Sequence, residues 1–480
     1  MATITDTYAD QSPEKIALQT LHEKITYKTW NEKVCQTANW LDSLNLANHT
    51  LGFLLPNGIP FLQLFTGASL AGWTSVPFDP KWTEAELLQR LSLSRPSVFI
   101  TTQELYPNVK HLHHHVLLWE DCFRKINLFS KARTQPADGK LPFYMGFTSG
   151  TTGVPKAFIR SHDSWVASFD CNRVDFHLDE SDQVLIPGAL IHSHFLYGAI
   201  STLYLGGSVY LLEKFSATQT LSIIELQPIT TIYVVPTMLA ALHKLERAIE
   251  KPLKILSSGA KWEEHSKELM KFMFPNMSMY EFYGASELSF VTVLTEHQKP
   301  GSVGKPCHNV EIQIRKENSE PALPNETGKI FVRSKLTFIG YLNEGTLQTI
   351  HDEHGWITVH DMGYLDEDGF LFIQGREKNM ILYGAINIFP EEIEKVLSGH
   401  PGVEEVAVIG VPDPYWGQIV AAVVKGNARK KELKRRCRQT LSSFKVPRKW
   451  VFVDEMPHTT SGKIARPQVR ELIESKVNRH

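Results

Sequence analysis

A chain of 480 residues exceeds the usual span of one domain, so two or more domains are expected. Its 42% hydrophobic content supplies a sizeable core, while a formal charge of −2 excludes the basic excess that draws proteins to nucleic acid or anionic membrane. Five dispersed cysteines, Cys35, Cys122, Cys171, Cys307 and Cys437, form no CxxC pair, which argues against a zinc ribbon or disulfide framework and fits a reducing compartment.

The first fifteen residues contain acidic side chains and no apolar run, unlike a signal peptide, so a cytoplasmic location is expected. The most apolar stretch, Leu51 to Phe78, is interrupted by Pro56, Asn57, Gly58, Pro60, Gln63 and Pro77. It reads as strand, turn and buried helix rather than a membrane span. The histidines at 111, 113, 114 and 115 form a run with poor geometry for one metal and read as a surface loop. Apolar, β-branched runs follow at Gln183–Ile186, Ser208–Leu212, Thr231–Val235 and Lys254–Leu256, with a helical pattern over Ala217 to Leu226. This alternation predicts parallel sheets covered by helices.

Beyond residue 328 the strands crowd together, with Lys329–Arg333 and Phe370–Gln374 flanking a turn at Asp366 to Gly369. Pro390 opens a helix with acidic residues in its first turn. Strands at Val403–Ile409 and Ile419–Val424 come next, then a basic run, Arg429 to Arg438, read as a solvated helix face. The expected architecture is α/β. A large domain, 1–376, has parallel-rich sheets packed with helices, and a small mobile α+β domain covers 377–480.

The sharpest chemical signal is the string from Phe147 to Lys156, containing Thr148, Ser149, Gly150, Thr151, Thr152 and Gly153. Glycines let backbone approach a ligand closely, hydroxyls donate to phosphate oxygens, and the lysine adds a point charge. The spacing is not that of the GxxxxGK[ST] loop, since Gly150 and Gly153 stand three apart and no Ser or Thr follows Lys156.

This string resembles the phosphate loop of the adenylate-forming superfamily: acyl-CoA synthetases, aryl-CoA ligases, peptide-synthesis adenylation domains and firefly-type luciferases. Further motifs follow in order. Tyr283 to Glu287 is similar to YGxTE, with serine at 286 for the usual threonine, and Gly301 to Pro306 is similar to GxxGxP. Asp361 to Gly369 matches GDxGxxDxDG except that His360 replaces the first glycine. Gly375 to Lys378 matches GRxK, and Pro457 to Lys463 matches PxTxSGK.

The resemblance implies a reaction and a set of roles. ATP would activate a carboxylic acid, a fatty acid being the expected one, to an acyl-adenylate with loss of pyrophosphate. The acyl group would then pass to coenzyme A. Magnesium needs a few hard oxygens besides phosphate, which Glu287 with Thr151 or Thr148 would supply. Tyr283 would stack on adenine, with Ser258, Gly259, Ala260, Phe282, Gly284 and Ser286 in the same nucleotide site. Asp361 would accept from the ribose hydroxyls, supported by Arg376. Lys463 would bridge carboxylate, α-phosphate and ribose oxygens.

For the thiol step the resemblance implies a hinge at Lys378 and passage of the pantetheine arm past Gly384. The lysine often found before that glycine is absent. His192, with His194 the weaker candidate, would lie near the substrate carboxylate. No aspartate of the FDxS kind occurs between Ile186 and Gly198, which disfavours amino acids and leaves fatty, other aliphatic or aryl acids. The alternative acceptor is the thiol of a carrier protein on a separate chain.

Overall fold

The computed structural model describes residues 2–132, 137–148, 155–258, 264–295, 299–343, 345–383, 386–459 and 462–477. The apolar stretch near the start resolves into strand Thr50–Leu54, helix Ile59–Ala71 and strand Thr74–Pro77. Pro60 sits in the first turn of that helix, where a missing N–H costs nothing, and Gly72 ends it at φ +75°. None of the described helices is long and apolar enough to cross a membrane.

The chain divides into two compact units, residues 1–312 with 332–357, and residues 313–331 with 358–480. The boundary expected after 376 falls inside the second of these, at the turn Glu377–Asn379.

Among the described residues the first unit holds a nine-stranded and an eight-stranded sheet. In the nine-stranded sheet, strands Ile16–Gln19, Ser208–Leu211, Gln183–Ile186, Thr231–Val234, Leu253–Ser257 and Met277–Ala285 run parallel in that spatial order. Such strands are buried on both faces, which is why they read as continuous apolar runs. Helix Ala217–Leu226 connects two of them, as its spacing predicts, and buries Leu221 and Ile224. The parallel run ends where Ser289–Thr295 folds back antiparallel on Met277–Ala285. The second sheet changes direction in the same way, at the hairpin of Pro142–Thr148 and Lys156–Ser161. Both reversals carry candidate site residues.

The second unit begins with a four-stranded sheet that includes Gly328–Arg333, Asp361–Leu365 and Leu371–Arg376. A long hairpin, Val403–Asp413 with Gly417–Gly426, is joined by parallel strand Lys449–Val453 and forms the centre of the rest. Helices Pro390–Ser398, Lys430–Thr440 and Arg466–Val477 follow the chain around it, and its core contains Ile393, Leu397, Val423, Leu433 and Val469. The basic run forms Lys430–Thr440, whose Leu433 and Cys437 are buried; Lys431, Arg435 and Arg438 are exposed, while half-buried Arg436 donates to the Val396 carbonyl at 2.7 Å. The histidine run is a loop, but half-buried His113 and His115 bond the backbone oxygens of Pro96 and Ser97.

Candidate active site

Strand register places Thr148 directly opposite Lys156, at the paired ends of two antiparallel strands. Ser149, Gly150, Thr151, Thr152 and Gly153 lie outside the described residues, as do Gly259, Ala260 and Gly384. The strand pair is anchored by buried Phe143, Tyr144, Met145, Ala157 and Phe158, while Lys156 at the start of its strand is exposed. On the neighbouring antiparallel strand Gly340–Asn343, the ring of Tyr341 lies 5.0 Å beneath the Lys156 ammonium.

The YGASE motif forms the second reversal. Strand Met277–Ala285 ends at Ala285, residues 286–288 turn, and Ser289 begins the return strand at φ +63°. A three-residue loop closed by a left-handed residue is a common hairpin geometry. Gly284 is required by close approach, since an added Cβ would meet the Ser289 carbonyl oxygen at 2.1 Å.

Glu287 sits in this turn yet is only 8% exposed. Its backbone carbonyl accepts from the Phe338 N–H at 2.8 Å, and its Oε1 accepts from the Tyr341 hydroxyl at 2.6 Å. Its other carboxylate oxygen has no hydrogen-bond partner among the described residues. Buried Arg160 steadies the turn by donating to the Ser286 carbonyl at 2.9 Å and to the Leu336 carbonyl. Burial draws the Arg160 guanidinium down to about 10, against the pull of Tyr197 and Glu287, so it stays charged at neutral pH.

A buried carboxylate with one oxygen unpaired among the described residues, sharing Tyr341 with an exposed ammonium, fits a magnesium–triphosphate ligand. Ser258, Tyr283 and Ser286 are half-buried around these strand ends. Phe282 points to the opposite face of its strand from Tyr283. Its ring packs against Phe290 at 4.6 Å, His194 at 5.7 Å and Phe176 at 5.8 Å, in an aromatic wall.

The two histidines of the 192–194 segment separate clearly. His192 precedes helix Ser193–Leu205 and is exposed, though desolvation lowers its pKa, with Asp79 opposing and Lys81 reinforcing. His194 turns inward, and its Nε2–H donates to the Val234 carbonyl at 2.9 Å. Burial takes its pKa down to about 4, so the ring is neutral with a lone pair on Nδ1. His192 is therefore the histidine left accessible to a substrate.

In the second unit, Asp361 and Arg376 are directly opposite in adjacent antiparallel strands, with the guanidinium Nε 3.0 Å from a carboxylate oxygen. Asp361 is buried and Arg376 half-exposed. His360 has φ +64°, which explains why glycine is usual there: the left-handed region is costly for residues with a Cβ. Its ring reaches Glu377 at 2.8 Å, and Glu377 also pairs with Lys329 at 2.9 Å. Lys378 is exposed in the turn Glu377–Asn379.

Lys463 is exposed on a tight turn in which the Thr459 N–H donates to the Lys463 carbonyl at 2.7 Å. Its own N–H donates to the Thr459 hydroxyl at 3.2 Å, and Gly462 takes φ +76°. Three residues on, Arg466 anchors the segment to both carboxylate oxygens of Glu394 at 2.8 Å. Tyr341 and Arg160 were not legible as site residues, because strand pairing brings them to Glu287 across 54 and 126 or more positions of chain.

Residues 5–342 match the AMP-binding enzyme family and residues 392–463 the AMP-binding enzyme C-terminal domain. The uncharacterized acyl-CoA ligase YhfT of Bacillus subtilis (strain 168) is 49% identical over 99% of both chains. A protein of Staphylococcus haemolyticus (strain JCSC1435), provisionally named long chain fatty acid-CoA ligase VraA, is 30% identical over 97% of this chain and 96% of its own. Among solved structures, o-succinylbenzoate CoA synthetase (MenE) from Bacillus subtilis, in complex with its acyl-adenylate intermediate, superposes with TM-score 0.89 at 26% identity. That match covers 97% of each chain. The same enzyme in complex with ATP and magnesium gives TM-score 0.88 at 26% identity over 97% of this chain and 99% of its own. The chain belongs to the AMP-binding enzyme family, as an adenylate-forming ligase of the acyl-CoA synthetase kind.

Proposed function

We propose that the protein couples an apolar carboxylic acid, fatty or aryl, to coenzyme A through an acyl-adenylate made from ATP. The observation that carries this reading is the buried Glu287 carboxylate, with one oxygen unpaired among the described residues, linked through Tyr341 to the exposed Lys156. Magnesium bound with ATP would neutralise part of the triphosphate charge, with Glu287 holding it and Lys156 meeting the phosphates. Attack of the substrate carboxylate on the α-phosphorus expels pyrophosphate. Lys463 supplies a positive charge to the equatorial and bridging oxygens as charge builds on them. Asp361, aligned by Arg376, accepts from the ribose hydroxyls. The thiol of coenzyme A then attacks the acyl carbonyl, and AMP leaves. A hinge at Lys378, with domains 1–376 and 377–480, would exchange the Lys463 turn for the Gly384 segment between the two steps.

The apolar character of the acid is supported by buried Phe290, Val291, Val293 and Leu294 after Glu287, and by the absence of an aspartate in 187–198. Release of pyrophosphate and AMP should be followed across acids from acetate through palmitate, benzoates and amino acids, with and without coenzyme A. Turnover that requires coenzyme A and a fatty or aryl acid is expected. A pyrophosphate burst without sustained turnover would move the acceptor to a carrier-protein thiol.

A further inference from the structure

We propose that Tyr341 is a positioning residue for the triphosphate site, holding its metal-binding carboxylate and its phosphate-binding lysine at once. The inference rests on the reading of Glu287 and Lys156 given above. Tyr341 lies outside the motifs quoted above, and the pairing of Gly340–Asn343 with Lys156–Ser161 brings it there.

Its two ends do different work. The hydroxyl donates to Glu287 Oε1 at 2.6 Å, a charge-assisted hydrogen bond that occupies one carboxylate oxygen and sets the direction of the other. A ligand oxygen aimed by such a partner binds a metal more tightly than a freely rotating one. The ring face lies 5.0 Å below the Lys156 ammonium and limits where that long, flexible side chain can rest without nucleotide. The ring itself is packed edge-on against Phe338, with centroids 4.9 Å apart, so it is a stiff platform. Phe338 is in turn tied to Glu287, since its N–H donates to the Glu287 carbonyl at 2.8 Å. Carboxylate, tyrosine and lysine thus form one continuous contact chain, and the hydroxyl and the ring can be removed separately.

Calorimetric titration of ATP over a series of magnesium concentrations, without acid substrate so that no turnover occurs, tests this. The proteins are wild type, Tyr341→Phe, Tyr341→Leu and Glu287→Gln. Tyr341→Phe keeps the ring under Lys156 and against Phe338 but removes the hydroxyl. It is expected to raise the magnesium concentration for half-maximal ATP affinity by about ten-fold, as loss of a ligand-orienting partner does. Its ATP affinity in EDTA should match wild type. Tyr341→Leu should show the same magnesium effect and weaken ATP in EDTA by about three-fold as well, through loss of the ring beneath Lys156. If Tyr341→Leu does not fold, Tyr341→Phe carries the test. A magnesium requirement within two-fold of wild type in Tyr341→Phe, with Glu287→Gln losing its magnesium response, overturns the role of Tyr341 and leaves the site reading standing. A full magnesium response in Glu287→Gln overturns both.

Discussion

Glu287 and Lys463 are both charged candidate site residues outside regular strands and helices, yet their surroundings are opposite. Glu287 is buried and is held through its side chain by Tyr341, through its backbone by Phe338, and through the preceding carbonyl by Arg160. Lys463 is exposed, its backbone is bonded to the Thr459 N–H and hydroxyl, and Arg466 three residues on is paired with Glu394. On the proposed roles, a metal-binding carboxylate would gain from rigid aim, whereas a lysine serving one of two steps would gain from an exposed position. Function in the first unit should therefore be inseparable from stability. In the second unit the two should come apart.

The largest expected effect is on the open turn. Lys463→Ala should lower the rate of adenylate formation by about 100-fold or more, the usual cost of removing a group that stabilises transition-state charge. ATP affinity and melting temperature should hold, and full activity in that variant would end the mechanistic assignment. At the buried turn, Arg160→Leu leaves the Ser286 and Leu336 carbonyls unpaired and Glu287 without its nearby charge. We expect a loss of about 3 kcal/mol in unfolding free energy by denaturant titration. If Arg160→Leu unfolds like wild type, the contrast between the two turns is wrong.

Asp361→Asn probes the intermediate case, a buried carboxylate in the unit that carries Lys463. It keeps the shape but loses the charged acceptor, so the KM for ATP should rise by about ten-fold with little change in kcat. An unchanged KM would remove the ribose role. The smallest effect is a pH dependence of stability in the aromatic wall. Burial holds His194 at about 4, below its ordinary value, so the unfolded chain binds the extra proton between about pH 4 and 6.5. The stabilising contribution is therefore full above pH 6.5 and lost as pH falls toward 4. The melting temperature of His194→Leu should decline less steeply than that of wild type over that window.

Much of this was readable from residue order because the signals are local. Strands buried on both faces leave continuous apolar runs, which is how Gln183–Ile186 and Thr231–Val235 were read, the second as strand Thr231–Val234 in the fold. Pro390 with Glu391 and Glu392 marked a helix start that the fold contains. The departure at His360 was visible as a missing glycine. Its cause, a left-handed backbone stabilised by a contact to Glu377, needed the dihedral angle and the neighbouring strand.

Residue order carried the family through the resemblance of its ordered motifs and the α/β class through alternating apolar runs, because both signals are local. The resemblance also implied that Arg376 supports Asp361, and the structure sets the two opposite each other in one hairpin. Tertiary structure alone decided that Tyr341 and Arg160 serve Glu287, that His192 is open while His194 is locked, and that Phe282 faces an aromatic wall. Those facts depend on which strands are neighbours and on the face each residue presents, and contact between distant segments leaves no periodicity in a single chain to read.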